Sequence, residues 1–387
     1  MKLNIAVLFG HLSCEHDISI ITACQAMRNL DKNKYNIIPI YITKDNKYIT
    51  DEKLLLISNY PNNIKGTEVC FLPNSKYLYK KNMFGLKKYK QIDVALFCFH
   101  GHLGEDGAMQ GLFELNDIPY TSTDIIGSVC GSNKIIFKEI LKGIDVPQVS
   151  SIWVRDSEFY LRKEKLLKYI IKKLNLPVIV KPNTLGSSIG ITVANNEYEL
   201  SNSLSLAFEL DERVLIEKFV SDFKEINIAT LFDGSKYIFS DLEEAIKNDK
   251  ILTFENKYIG GSKTKNADKK IVPTQTYLNG NLKAKLTRSQ NFKIKMYTKK
   301  VYDILNLKGV VRFDYIVTNS NIYLNEINTI PGSLANYLFK NKGLNYSKLL
   351  DELINSAIVN NSKKQNYIHT FNSSVLKSNA TLNGIKK

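Results

Sequence analysis

Tryptophan occurs once in these 387 residues, cysteine five times, and arginine six times among 53 basic residues. The thiols Cys14, Cys24, Cys70, Cys98 and Cys130 are odd in number and include no Cys-x-x-Cys pair. That excludes a disulfide-stapled scaffold and points to reduced, buried thiols. The five histidines form no zinc-ligand pattern with them. No run of about 18 apolar residues is present, so no membrane-spanning helix is expected. The short apolar start is ended by Gly10, His11 and Ser13, too early for a signal peptide, and reads as a first β-strand of a cytoplasmic protein. The scarcity of arginine also bears on charge. A net charge of +15 and a pI near 9.3 raise nucleic-acid binding. Arginine, however, is the usual bidentate reader of bases and phosphates. Here Arg28, Arg155, Arg162, Arg213, Arg288 and Arg312 stand alone, and the lysines are spread among Asn, Ile and Tyr along the whole chain. No nucleic-acid or membrane partner is expected.

With 44% apolar and 24% charged residues, the chain reads as globular, and its length allows two or three domains. Strand and helix signals alternate at the start: a strand over 3–9, a helix over 15–30 and a strand over 36–42 suit a parallel α/β unit. Residues 44–90 are polar and rich in Lys, Asn and Tyr, and read as a hairpin or loop excursion. The buried strand 94–99 runs into His100-Gly101-His102-Leu103-Gly104-Glu105-Asp106-Gly107, at a strand's carboxyl end where ligands bind in such sheets. A second segment from about 123 offers helices over 133–141, 157–174 and 197–210 and strands over 176–182, 191–194 and 214–219. A third offers strands over 226–232, 310–317 and 322–327 and a helix over 292–305. Between them 254–274 has little core character, as a functional or disordered loop would. After 361 a polar tail is expected.

Three groups of residues carry chemistry. Gly186-Ser187-Ser188-Ile189-Gly190 lies between two strands, with Lys181 before it. It is either a plain turn or a flap whose N–H groups close over phosphates. Arg312 and Asp314 share one strand face, and Glu326 and Asn328 share another. Two carboxylates and an amide oxygen suit Mg²⁺ held against nucleotide phosphates, and the guanidinium suits a transferring phosphoryl group. Glu217, Lys218 and Glu225 flank a short polar loop that either meets a purine and ribose or is only exposed acid.

These motifs resemble the D-alanine–D-alanine ligases of the ATP-grasp superfamily. The resemblance also rests on Val7-Leu8-Phe9-Gly10 with Ser13-Cys14-Glu15-His16-Asp17-Ile18-Ser19, on His100-Gly101 with Gly104-Glu105-Asp106-Gly107 and Gln110-Gly111, and on Ile118-Pro119-Tyr120. It continues through Val180-Lys181-Pro182, Lys257-Tyr258, Arg312-Phe313-Asp314 and Asn325-Glu326-Ile327-Asn328-Thr329-Ile330-Pro331-Gly332. It implies an α/β (α+β) three-domain ATP-grasp architecture: an N-terminal parallel α/β substrate domain over 1–122, a central ATP-grasp domain over 123–217, a C-terminal catalytic domain over 218–360 and a poorly ordered tail over 361–387. It implies that Lys134, Lys181 and the loop carrying Gly186, Ser187 and Ser188 meet the ATP phosphates. Glu217, Lys218 and Glu225 would meet adenine and ribose. Asp314, Glu326 and Asn328 would hold two Mg²⁺, or Mn²⁺ in their place. Lys257, at the ATP, and Tyr258 would belong to a mobile loop. Glu15, with Ser187 and Tyr258, would hold the first D-alanine, His100 would lie beside the substrates, and Arg312 and the Gly332 N–H would stabilise the oxyanion. A homodimer is implied as well.

Two positions depart from the family. Tyr337 stands where a serine usually binds the second substrate's carboxylate, unless Ser333 substitutes, and Asn133 replaces the aspartate before Lys134. Tyr258 favours an amine acceptor, because lactate-using relatives tend to lack it. D-Alanyl-D-alanine formation for peptidoglycan precursors is therefore expected. D-Ala–D-Ser or D-Ala–D-lactate ligation, or another ATP-grasp carboxylate–amine ligation, is the alternative. A non-catalytic ATP-binding relic would have no need of Arg312, Asp314, Glu326 and Asn328.

Overall fold

The computed structural model describes residues 2–60, 64–245 and 282–372. Three sheets organise it. The first contains β1 (Leu3–Gly10), β2 (Tyr35–Ile42), β3 (Tyr48–Thr50), β4 (Thr67–Phe71), β5 (Tyr77–Asn82), β6 (Gly85–Gln91) and β7 (Val94–Phe97), in the order β6-β5-β4-β3-β2-β1-β7. β1 lies parallel to both β2 and β7. Strands covered on both faces need continuous apolar runs, and Ile5 to Phe9 are fully buried. The 44–90 excursion is neither a loop nor a lone hairpin: β3 to β6 extend the sheet antiparallel from β2. The helices α1 (His16–Asn29) and α2 (Ala108–Leu115) complete the unit.

Two short helices, α3 (Ile125–Ser132) and α4 (Lys134–Gly143), lead to the second sheet. Its strands are β8 (Ser151–Arg155), β9 (Val178–Pro182), β10 (Thr192–Ala194) and β11 (Arg213–Lys218), in the antiparallel order β10-β9-β11-β8. The helices α5 (Asp156–Leu174) and α6 (Glu197–Phe208) share its core. The third sheet contains β12 (Lys224–Phe232), β13 (Tyr237–Phe239), β14 (Glu243–Glu244), β15 (Leu282–Lys283), β16 (Val311–Val317) and β17 (Ile322–Asn328), ordered β15-β14-β12-β16-β17 with β13 beside β12. The helix α7 (Arg288–Ile304) lies on its core side. α7 begins four residues before the expected start, because Thr287 and Gln290 form a capping box.

The last helix, α8 (Tyr346–Gln365), corrects the expected end of the globular part. It runs past residue 360, and Asn361, Lys364 and Gln365 bond Asp117 and Glu114. Its apolar stripe Leu349, Leu350, Leu353, Ile354 and Ala357 belongs to the core of the first sheet, so the chain returns to where it began. Ile354 is fully buried there. Ile354→Ala should cost about 2–5 kcal/mol, read as a fall in the urea midpoint with an unchanged slope.

Candidate active site

Alternation along the strands sorts charge from core. On β9, Val178 and Val180 enter the second core while Lys181 points the other way; on β11, Val214 and Ile216 do so while Glu217 does not. On β16, Val311, Phe313 and Tyr315 enter the third core, leaving Arg312 and Asp314 on the opposite face. Asp314 stands opposite Glu326 on β17, and Arg312 opposite Asn328. A bulge at Asp314/Tyr315 leaves Asn325 unpaired and turns it toward Lys181, whose Nζ donates to Asn325 Oδ1 at 3.3 Å. One cleft is therefore lined by Lys134, Lys181, Gly186, Ser187, Ser188, Glu225, Asp314, Asn325 and Glu326.

Behind its wall Glu217, 1% exposed, accepts ion pairs from both Lys138 and Lys181. Burial would raise its carboxyl; the two ammonium groups overcome this and hold it below the usual carboxylate range. Lys134 is half-buried and pulled down by desolvation, while Glu326 opposes that shift. Its Nζ donates to the carbonyls of Leu185 and Asn183, so it braces the Gly/Ser loop. Asn133 caps α4, its Oδ1 accepting from Ile136 N–H at 3.0 Å. Asparagine performs that duty as well as aspartate, which accounts for the departure at this position.

Arg312 grips Asp314 with two bonds, Nε to Oδ1 at 2.8 Å and Nη2 to Oδ2 at 2.9 Å, and Asn328 Nδ2 adds a third at 3.0 Å. Beyond them on the same face lie Asn227 and Glu243, each directly opposite its neighbour in the ladder. Glu243 Oε1 and Asn227 Oδ1 are buried and lack a hydrogen-bond partner among the described residues. Burial pushes Glu243 up to about 7, against the pull of Arg312.

The first sheet contributes the other wall. Ser13 Oγ donates to the His100 carbonyl at 2.7 Å, and Glu15 N–H donates to Ser13 Oγ at 3.1 Å. Ser187 Oγ donates to Glu15 Oε1. A Cβ on Gly186 would come within 2.7 Å of Glu15 Oε2, so a larger residue there would push the Glu15 carboxylate aside. His100 is buried, with Nε2 2.8 Å from Thr22 Oγ1. Thr22 Oγ1 also accepts the Ser333 N–H at 3.1 Å, so one hydroxyl links the imidazole to the 333 turn. Burial pushes its pKa down to about 4, with the Ile330 backbone opposing and Arg312 assisting. Ser333, Leu334 and Ala335 all have φ near 50°, a left-handed turn costly for side-chain-bearing residues. Glu105 fastens this turn's approach by accepting N–H bonds from Gly101 at 2.9 Å and Ile330 at 2.8 Å.

The expected residues are thus brought together in part. Glu15, Ser187 and Gly186 meet directly, and His100 reaches Ser333 through Thr22. Gly332 opens the segment that carries Ser333, and Tyr337 packs on the first core. Lys218 is exposed and lies outside the cleft lining. Lys257, Tyr258 and the loop 254–274 lie outside the described residues. Sequence reading gives no role to Thr22, Lys138, Asn227 or Glu243, and names Glu105 and Asn325 only as members of motifs.

Two outcomes test this wiring. Lys138→Met should leave Glu217 buried with one partner fewer and cost about 3–5 kcal/mol in denaturant midpoint at pH 7. Glu105 is pushed up to about 7 by burial and by Glu15, from an ordinary value of 4.5. Its contribution to stability is complete below pH 4.5 and is lost as pH rises through 7. Urea midpoints of Glu105→Gln should lack that loss.

Comparison with known proteins agrees with the geometry. Residues 4–123 match the family model described as D-ala D-ala ligase N-terminus, and 140–355 the one described as D-ala D-ala ligase C-terminus. A protein of Thermosipho africanus named D-alanine–D-alanine ligase is 34% identical over 381 residues, covering 96% of this chain and 98% of that protein. The D-alanine–D-alanine ligase structure from Coxiella burnetii superposes with a TM-score of 0.76 at 25% identity, covering 94% of this chain and 96% of that one. The VanG D-Ala:D-Ser ligase from Enterococcus faecalis does so with a TM-score of 0.76 at 26% identity, covering 92% and 100%. The fold is that of the ATP-grasp ligases.

Proposed function

The chain belongs to the D-alanine–D-alanine ligase family, and we propose how its cleft divides the labour of activating one D-alanine with ATP and coupling it to a second. The reaction is an ATP-dependent carbon–nitrogen ligation that provides D-alanyl-D-alanine for peptidoglycan precursors. The observation that carries the assignment of residues is the facing of Lys134, Lys181 and the 186–188 loop across one cleft from the opposed carboxylates Asp314 and Glu326.

A carboxylate is a poor acyl donor because its carbonyl is electron-rich. Transfer of the γ-phosphoryl group to it makes an acyl phosphate with a good leaving group, and ADP departs. Lys134 and Lys181 pair with the phosphate oxygens during transfer, and the loop N–H groups of 186–188 close over them. Glu225 holds the ribose, and Glu217 and Lys218 serve the adenine end, Glu217 also fixing Lys181. Glu15, with Ser187, holds the ammonium group of the first D-alanine, beside His100. The second D-alanine attacks through its amine, loses a proton and expels phosphate; Arg312 and the Gly332 N–H stabilise the oxyanion that forms. Lys257 and Tyr258 exclude the water that would hydrolyse the acyl phosphate.

Asp314, Glu326 and Asn328 fit Mg²⁺, and Mn²⁺ after it: they are hard oxygen donors on one face, and Asp314 is 3% exposed beside a single guanidinium. Among the described residues no three acidic, histidine or cysteine side chains converge, so an ion held here would take its remaining ligands from phosphate and water. Such ions would supply neutralising charge to the transferring phosphoryl group. We further infer a cytoplasmic homodimer. A D-serine acceptor is the second reading, favoured by Tyr337 and by the left-handed turn at Ser333.

Purified protein with ATP and Mg²⁺ should release phosphate on addition of D-alanine alone, with D-Ala-D-Ala identified by mass. Turnover only with D-alanine and D-serine together would move the assignment to the second reading. Glu326→Gln should lower phosphate release at least 100-fold, about 2.7 kcal/mol in the barrier, with unchanged thermal unfolding; full turnover at saturating Mg²⁺ would remove Glu326 from the metal site.

A further inference from the structure

The hairpin of β5 and β6 is anchored in the first core by Leu78 and Tyr89, but its tip and lysines belong neither to that core nor to the cleft. From residue 69 to 92 the chain carries Lys76, Lys80, Lys81, Lys87, Lys88 and Lys90, with no acidic residue and no arginine. Lys76 and Lys81 pair outward with Asp117 and Glu68. Among the described residues no carboxylate pairs with Lys80, Lys87, Lys88 or Lys90. Lys80 stands directly opposite Lys87 in the ladder, a like-charge pairing that costs stability. At the turn, Met83 and Phe84 are 94% and 95% exposed. The turn itself is built: Phe84 N–H donates to Asn82 Oδ1 at 2.9 Å, and Gly85 takes φ +115°.

β6 is the free edge of the first sheet. Edge strands carry lysine to prevent pairing with other chains, which accounts for the charges but not for the tip. An exposed Met–Phe pair on that edge invites the association the lysines oppose. The two features agree when the hairpin meets a surface that is anionic outside and apolar beneath. We propose that the β5–β6 hairpin docks this ligase on an anionic lipid bilayer, with Met83 and Phe84 entering between headgroups and the lysines pairing with lipid phosphates. Hydropathy excludes only a spanning helix, and none of the described helices is long and apolar enough to cross a membrane. Nucleic acid suits the hairpin less well. Lys80 lies 3.8 Å over the Tyr89 ring and Lys88 4.6 Å over that of Tyr77, so these faces are covered by ammonium groups rather than open to bases. β6 is also five strands from β1 in the sheet order, about 24 Å at the usual strand spacing, so docking leaves the catalytic cleft free.

The full-length protein should sediment with vesicles of phosphatidylcholine and phosphatidylglycerol but not with phosphatidylcholine alone. Binding should fall about fivefold for each of Lys87→Gln and Lys88→Gln, and about tenfold or more between 0.1 and 0.5 M salt. Met83→Ser with Phe84→Ser should lose sedimentation while D-alanine-dependent phosphate release stays at the wild-type rate, which also reports folding. Phe84→Trp in a Trp153→Phe background reads insertion independently, as a blue shift on anionic vesicles. Failure of the wild type to sediment with anionic vesicles, or equal sedimentation of all variants, would overturn the proposal. Co-sedimentation with duplex RNA and not with vesicles would overturn the lipid assignment.

Discussion

The buried carboxylate of Glu217 is the point from which the cleft is built. Its two partners come from different elements, Lys138 from α4 and Lys181 from β9, so one anion ties a helix to a sheet. A carboxylate taken out of water must be paired, and here the pairing is also positional. The same Lys181 ammonium pairs with Glu217 and donates to Asn325 of the third sheet. Lys134, one turn before Lys138 on α4, is carried along and braces the loop that follows Lys181. Two sheets and the Gly/Ser loop are thus set relative to each other around one buried anion.

The N-terminal unit reaches the cleft through two strained loops. Ser187 and Ser188 take φ of 51° and 62°, and Ser333 to Ala335 stay near 50°. Such conformations persist only where the surroundings over-determine them. The surroundings are one helix: Glu15 at the start of α1 accepts from Ser187, and Thr22, two turns further along, accepts from Ser333. α1 therefore holds both strained loops. His100 belongs to the same wiring through Thr22, and burial selects its neutral form.

The alternation of β16 and β17 could be read from the sequence because it depends only on neighbours two apart. So could the strand–loop–strand around Gly186, whose meaning came from order along the chain. Thr22, Glu105 and Glu243 could not be found that way. Each is an ordinary polar residue until a segment more than 200 residues away in Thr22 and Glu105, or the adjoining strand in Glu243, supplies its surroundings. The extent of α8 was missed for a related reason. Its last turn is polar because it bonds Glu114 and Asp117, and polarity alone resembles a tail. Lys257 and Tyr258 fall outside the described residues, so the pattern that singled them out remains a sequence argument.

Lysine shows why composition could not separate these roles. Lys138 and Lys181 are buried and Lys134 half-buried, and each works by the anion or carbonyl it touches. Lys80, Lys87, Lys88 and Lys90 lie on a hairpin with no acid in its length. Both sets add equally to the net charge of +15, yet desolvation makes the first set local and directional while solvent makes the second collective and salt-dependent. A sum over residues discards burial, the variable that divides them. An even spread of lysine along the chain therefore becomes, once folded, a neutralised interior and a solvated exterior, of which the acid-free β5–β6 edge is one part.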